Sequence, residues 1–431
     1  MKFISIQEAL DKKEGKVSLR GWVYRERKQK EMAFIVMRDS SNIIQCVVKE
    51  DKVSKKEWED ANKILIESSL EIEGTLKEDK RAPTGYELQV SKLNVIHFAE
   101  KFPISKDHSP EFLLDVRHLS LRSRKLTNVL KVRSTVFKAI HDYFRSFGYY
   151  EYHSPCFTPN AAEGGSTLFK VDYFGKPIYL TQTWQLYAEA GIFALEKIYT
   201  IAPSFRSEKS KTSRHLTEYW HAEVETAWQH FPELLDLAEG LIKYIVKTVL
   251  KENKKELDIL GRDTKKLEPI VKEKFPRITY KEALKILEQK AKIKIPYGKD
   301  LRTVEEDALS KLYNTPVFVT HYPKIIKAFY MKEDDKDKGA VLGSDLIATE
   351  GYGEIIGASE RETDIKELEK KLKAQGEDPK KYGWYLDTRR YGSVPHAGFG
   401  LGVERVIAWV CGLDNIKDPI PFPRTMLRYQ P

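Results

Sequence analysis

Between Val17 and Phe98 the sequence falls into five short β-rich runs, VSLRGWVY, AFIVMRD, IIQCVVK, SLEIEGTL and YELQVSKLNVIHF. Alternating apolar and polar residues give a strand one buried and one wet face, and turns such as Ser40-Ser41-Asn42 and Ala82-Pro83-Thr84-Gly85 separate the runs. Five strands within about 80 residues predict a small closed barrel.

A helical stretch, roughly Ser54 to Ile66, interrupts the strands after the third. That order matches five-stranded Greek-key barrels of the OB type, which commonly read nucleic acid. From Lys101 to Asp115 the chain carries Pro103, Pro110 and polar residues with little periodicity, the texture of a hinge. After it, Leu126, Val129, Leu130, Val136, Phe137, Ile140, Tyr143 and Phe144 recur at helical spacing up to Gly148, and an extended YYEYHSP follows. Strand-like runs at Ile178–Thr181, Ile198–Phe205, Tyr219–Thr226, Val317–Thr320, Ala328–Met331 and Gly353–Ile356 alternate with helices near Gln185–Phe193, Pro232–Leu250 and Lys281–Lys290. The expectation is a barrel over 1–103, a hinge over 104–118 and, over 119–431, an α+β domain on a mainly antiparallel sheet. The Lys/Glu-dense stretch from about Lys251 to Lys274 reads as a solvated excursion.

A chain of 431 residues with 41% hydrophobic and 11% aromatic content can bury large cores, which excludes wholesale disorder. A formal charge of +9 favours polyanionic partners. Cys46, Cys156 and Cys411 lie far apart without a C-x-x-C pair, which excludes a disulfide framework and a zinc ribbon and fits a reducing compartment. The apolar stretch Val406 to Leu413 is far short of the roughly 20 residues a span needs, and charges from Glu8 to Glu14 interrupt any signal core, so a cytoplasmic protein without membrane contact is expected.

Three constellations could carry chemistry. Ser204-Phe205-Arg206-Ser207-Glu208 ends an apolar strand and returns through a polar loop into Leu216-Thr217-Glu218-Tyr219. Such a hairpin could present Arg206 to a phosphate, Glu208 to a base edge and Tyr219 to a purine face, although Arg206 and Glu208 also suit a simple ion pair at a sheet edge. Gly398-Phe399-Gly400-Leu401-Gly402-Val403-Glu404-Arg405 leads into an apolar helix. Its glycines allow close backbone approach, for a polyphosphate or for packing, but they lack the βαβ setting of a dinucleotide fingerprint. In Glu350-Gly351-Tyr352-Gly353-Glu354, a strand carboxylate beside glycines suits Mg2+ held between phosphates, or an ordinary exposed glutamate.

An amphipathic helix plus strand ending in Pro155, then F-R-x-E with its loop, then G-x-G-x-G-x-E-R before an apolar helix, resembles in that order the three signature motifs of class II aminoacyl-tRNA synthetases. The whole chain, barrel included, is similar to their aspartyl/asparaginyl/lysyl subgroup, and YLDTRRYGSVPHAGFGLGVER is most similar to its asparaginyl branch. The resemblance implies ATP bent over the sheet, in-line attack of an amino-acid carboxylate on the α-phosphorus, and transfer to tRNA. It implies that Arg206 holds the α-phosphate and carboxylate, Glu208 the adenine amino group, Tyr219 the stacking face, and Arg214 and His215 the outer phosphates. Leu216 belongs to the same nucleotide set. Gly402, Val403 and Glu404 would shape the nucleotide pocket, Arg405 would cap the γ-phosphate, and Glu354 would bind Mg2+. Aspartyl relatives often carry a serine three residues after that glutamate, where Gly357 stands here.

For the amino acid, the resemblance implies a lid glutamate at Glu163, with Gln185 beside it. Arg361 would donate to a side-chain carbonyl and Glu223 accept from an amide. Ala188 stands where aspartyl enzymes carry a carboxylate-pairing lysine, so L-asparagine is favoured over aspartate. Phe34 and Gln45, with Arg27 nearby, would take the GUU anticodon of tRNA(Asn), and the helix and strand from Leu126 to Pro155 would form a homodimer face. Two other outcomes stay open: an aspartyl enzyme charging both tRNAs, and an amide-forming asparagine synthetase, whose known forms lack the barrel.

Overall fold

The computed structural model describes residues 2–105, 108–162, 167–208 and 215–431. The chain divides into two compact units, 1–114 and 115–431.

In the first unit, strands β1 (Gly15–Lys28), β2 (Met32–Arg38), β3 (Ile43–Lys49), β4 (Ser69–Glu78) and β5 (Tyr86–His97) close a barrel in the order β1-β2-β3-β5-β4. Period-two alternation decides what goes inside: Ala33, Ile35 and Met37 enter the core while Phe34 and Val36 face out. Helix α1 (Ile6–Lys12) precedes the barrel, and α2 (Lys55–Lys63) lies between β3 and β4. Each starts with a capping box, Ser5 with Glu8 and Ser54 with Glu57. Glu57 also accepts from the Leu93 N–H at 2.9 Å, which ties α2 to β5.

The second unit is built on an eight-stranded mixed sheet. Its strands are β6 (Tyr150–Glu151), β7 (Lys197–Phe205), β8 (Glu218–Ala227), β9 (Arg277–Thr279), β10 (Val317–Thr320), β11 (Gly343–Ala348), β12 (Gly353–Glu360) and β13 (His396–Gly402), in the order β9-β10-β11-β12-β13-β8-β7-β6. The six central strands are antiparallel, and β9 and β6 pair in parallel at the edges. Helix α3 (Arg124–Ser146) is capped by Ser123, and Gly148 at φ +77° turns the chain out of it. With α3, helix α4 (Gln185–Leu195), α5 (Phe231–Glu252), α6 (Thr303–Ser310), α7 (Gly383–Arg390) and α8 (Val403–Cys411) complete the main helical set. Helices α3, α5 and α8 cover one sheet face in a core that includes Val136, Ile140, Phe144, Ile242, Phe399 and Trp409. Arg117 is buried and donates to the carbonyls of Lys417, Ile420 and Pro421 at 2.8–2.9 Å, fastening the segment after α8.

Several expectations need correcting. Ala328–Met331 is a turn that ends in an isolated Met331–Arg361 bridge and is not a strand. Strands β11 and β13 do not stand out in the sequence pattern; three of seven β13 residues are glycine, and strand propensity is low there. The stretch Lys251–Lys274 is not merely solvated: Leu257, Leu267 and Ile270 are fully buried in the main core.

Candidate active site

Alternation along β8 and β13 sends Ala222, Val224, Phe399 and Leu401 into the helical core. It leaves His221, Glu223, Glu225, Gly398 and Gly400 on the opposite face. A cavity of about 600 Å³ opens there. Five expected site residues line it together: Gln185, Arg206, Glu223, Glu354 and Arg361.

Arg206 follows the last residue of β7, and its N–H bonds the Thr217 carbonyl at 2.9 Å. Its guanidinium lies 5.8 Å from the Tyr219 ring centroid and 3.9 Å from Glu208, which is 3.7 Å from His215. The ion pair and the cation–π row therefore coexist. Leu216 is buried against Ile416 and Ile420. At the end of β13, Gly402 precedes α8, Val403 is buried, and Glu404 accepts from Arg133 at 2.6 Å and from the Trp220 N–H at 2.9 Å. Glu404 thus pins α3 and β8 to α8. Arg405 donates to the Glu354 carbonyl at 2.6 Å and borders a second cavity of about 210 Å³. Glu163 and Arg214 lie outside the described residues.

Glu354 does not stand alone. Asp345, on adjacent β11, lines the same cavity, and Glu306 of α6 approaches the Glu354 N–H at 3.4 Å. Burial pushes the Glu354 carboxyl above the usual range and Asp345 adds to this, while Arg405, Lys327 and Arg206 draw it back. Burial and Glu354 push Glu306 up to about 7. A Cβ at Gly357 would lie 3.0 Å from Glu354 Oε1, so glycine leaves that carboxylate room. Two carboxylates on neighbouring strands facing one space fit a hard divalent cation. The sequence signal for Asp345 is its isolation as the one charge in the β11 run.

Glu223 accepts from Thr183 Oγ1, from the Trp184 N–H at 2.9 Å, and lies 3.4 Å from His221 Nδ1. Burial pushes its carboxyl up, but His221 and the hydrogen bonds outweigh it, so Glu223 sits below the usual range and is ionised. Arg361 is held by a partner that the sequence does not reveal: Nε and Nη2 donate to Glu225 at 3.0 and 2.8 Å, and Nη1 to Ser359 at 2.6 Å. Behind this pair, Glu189 accepts from Gln185 at 2.8 Å, Tyr385 at 2.7 Å and Arg389. Burial pushes Glu189 up, but Arg389, His396 and Arg361 outweigh it and hold it ionised. Glu189, Glu225 and His396 are close enough to share an ion, but Arg361 and Arg389 already balance their charge. Ala188 is fully buried, packed with Trp184 and Ile192.

These contacts give the alternating glycines a reason. A Cβ at Gly400 would strike the His221 ring, and one at Gly398 would strike Glu225, Arg361 and the Val224 carbonyl. The glycine stripe makes room for the polar floor of the cavity.

On the barrel, Phe34 is half-buried on the outer face, not in the core, and the Arg27 guanidinium lies 4.8 Å above its ring. Gln45 donates to Glu87 at 3.1 Å, and Glu87 also accepts from Gln89 at 2.6 Å. An aromatic face, a guanidinium and amide groups together suit a flipped-out base.

Residues 109–426 match the family described as tRNA synthetases class II (D, K and N), and 17–96 match the OB-fold nucleic acid binding domain. The chain belongs to the class II tRNA synthetases of the D, K and N group. This synthetase is 50% identical to the asparagine–tRNA ligase of Thermoplasma acidophilum over 96% of each chain. It is 44% identical to that of Thermus thermophilus, covering 96% of this chain and 97% of the relative. The solved asparaginyl-tRNA synthetase of Pyrococcus horikoshii, complexed with asparaginyl-adenylate, superposes with a TM-score of 0.95 at 46% identity over both full chains. An aspartyl tRNA synthetase from Entamoeba histolytica superposes at 0.86 with 26% identity, covering 100% of this chain and 93% of that one. Among the described residues of this synthetase, no helix is long and apolar enough to cross a membrane.

Proposed function

We propose that the chain joins L-asparagine to tRNA(Asn) in two steps driven by ATP. A carboxylate oxygen of asparagine attacks the α-phosphorus, pyrophosphate leaves, and asparaginyl-adenylate forms. A ribose hydroxyl of the terminal tRNA adenosine then attacks the acyl carbon, and AMP leaves.

The observation that carries this reading is one cavity with two chemically distinct ends. At one end Arg206 meets the α-phosphate and neutralises charge as the transition state forms, with Tyr219 beside it for the adenine. Glu354 and Asp345 would hold Mg2+ there, which supplies further neutralisation of the phosphates. At the other end, Glu223 is ionised and Arg361 is fixed by Glu225. Glu223 accepts from the amide NH2, and an N–H of Arg361 not used by Glu225 or Ser359 donates to the amide oxygen. Aspartate would set its carboxylate against Glu223, at a cost on the order of several kcal/mol in a closed site.

Arg27, Phe34 and Gln45 form the reading surface for the GUU anticodon. Phe147 and Tyr150, each more than half exposed beside the end of α3, are apolar surface that a second copy in a homodimer would cover. A cytoplasmic location completes the reading.

ATP–pyrophosphate exchange with asparagine, aspartate and lysine, with and without tRNA, tests it. Exchange with asparagine alone is expected. Exchange with aspartate would overturn the amide pocket, and product analysis with ammonia or tRNA would then separate the two other outcomes.

A further inference from the structure

Asp300, Asp345 and Glu354 line one end of the cavity, and Glu306 lies against Glu354. A cluster of carboxylates in a recess attracts divalent ions whether or not nucleotide is present. Within it sits a cation that the reaction scheme above does not use. Lys327 Nζ donates to Asp345 Oδ2 at 2.7 Å and lies 3.9 Å from the centroid of the Tyr322 ring. Its side chain is only 12% exposed, and its carbonyl accepts from Gln375 at 3.0 Å, so stem and backbone are both fixed.

An ammonium 2.7 Å from a carboxylate oxygen occupies the approach that a metal ion would take to that oxygen. Both cations cannot use it together, and their mutual repulsion in a recessed site is strong. ATP changes the balance, because its phosphates offer Lys327 a second anion. Exchanging Asp345 for a phosphate oxygen keeps the ammonium paired and opens Asp345 to the ion.

We propose that Lys327 is a resident cation that closes the Asp345–Glu354 site to free divalent ions, so that the ion enters only together with nucleotide. This inference rests on the assignment of Glu354 and Asp345 as ion-holding residues. The site then stays in its reactive form instead of filling with an ion that has no phosphates to bridge.

Mn2+ binding by electron paramagnetic resonance tests the proposal on the full chain without turnover, with and without the α,β-methylene analogue of ATP. In the unsubstituted protein, Mn2+ should bind at the site only with the analogue. Lys327→Met should bind Mn2+ without the analogue at least about tenfold more tightly than the unsubstituted protein, the direction expected when one positive charge leaves a recess. Lys327→Arg, which keeps the charge, should stay close to the unsubstituted protein. Glu354→Gln in the Lys327→Met background should remove the gained signal. Equal Mn2+ affinity with and without analogue in the unsubstituted protein would overturn the proposal, even if Lys327→Met failed to fold. So would a Lys327→Met protein that binds no more tightly. If the analogue brought no Mn2+ signal that Glu354→Gln removes, the ion-holding assignment itself would fall, a different result from either.

Discussion

Gly398→Ala tests whether the polar floor of the cavity depends on the missing side chain. Gly398 lies opposite Glu225 on β8 and Ser359 on β12, in the middle of the sheet. The new methyl would stand 2.7 Å from Arg361 Nη2 and closer still to Glu225 Oε2 and the Val224 carbonyl. The carbonyl belongs to the strand ladder and cannot swing away, so either β8 and β13 part or Glu225 abandons Arg361. Overpacking costs about 1–3 kcal/mol. Separating one partner of a buried pair costs about 3–5 kcal/mol. The two responses are alternatives in part, so a loss on the order of 4 kcal/mol is expected, a large share of the roughly 5–15 kcal/mol typical of a domain. With about 2.1 cal/mol/K of unfolding entropy per residue, a unit spanning 115–431 shifts by roughly 1.5 °C per kcal/mol, so the unfolding midpoint should fall by about 6 °C. Calorimetry on the full chain measures the midpoint, and exchange kinetics well below it measure KM for asparagine, which should rise at least about tenfold because Arg361 is displaced. Gly383→Ala is the control, since a Cβ there meets nothing within 4 Å and sits in a helix. A Gly398→Ala midpoint within about 2 °C of the unsubstituted protein, with an unchanged KM, would refute the packing argument.

Other outcomes follow from the same geometry. Arg405→Ala should lower ATP–pyrophosphate exchange by at least about a hundredfold with the fold intact; near-normal exchange would remove Arg405 from the nucleotide site. Phe34→Ala should weaken tRNA binding by about 1–3 kcal/mol while leaving amino-acid activation unchanged, and an unaltered tRNA KM would exclude stacking there. Glu223 is held below its ordinary value of 4.5, so its contribution to stability is present above that pH and is lost as pH falls through the lower folded value. Glu223→Gln should accordingly flatten the acid limb of stability below about pH 4.5, and an identical limb in both proteins would sink the assignment.

The barrel was legible because its strands obey period two and its turns carry the residues turns require. Helix α3 was legible for the matching reason at period 3.6. Arg206 and Glu354 could be singled out because each sits in a local pattern whose neighbours restrict its use, Arg361 was named only through the family resemblance, and the three line one cavity. What escaped was set by partners distant in sequence. Glu225 reads as one more strand glutamate until Arg361 arrives from β12, and Glu404 reads as a pocket residue until Arg133 reaches it from α3. Asp345 lay in a strand whose existence depends on β10 and β12 on either side. The glycines of β13 hid the strand itself, since they answer to the bulk of His221 and Glu225 on its neighbour and not to any local preference.

The position of β13 bears on how the molecule is made. It is the last strand in sequence yet lies between β12 and β8, deep inside the sheet. Until it emerges from the ribosome, two interior strands present unpaired edges, the kind of surface that recruits chaperones or promotes aggregation. Closing that gap brings together segments separated by much of the catalytic unit, a slow kind of contact to form. The same insertion supplies Gly398, Gly400 and the start of α8, so a nascent chain stalled before β13 would have the barrel but no means of activating an amino acid.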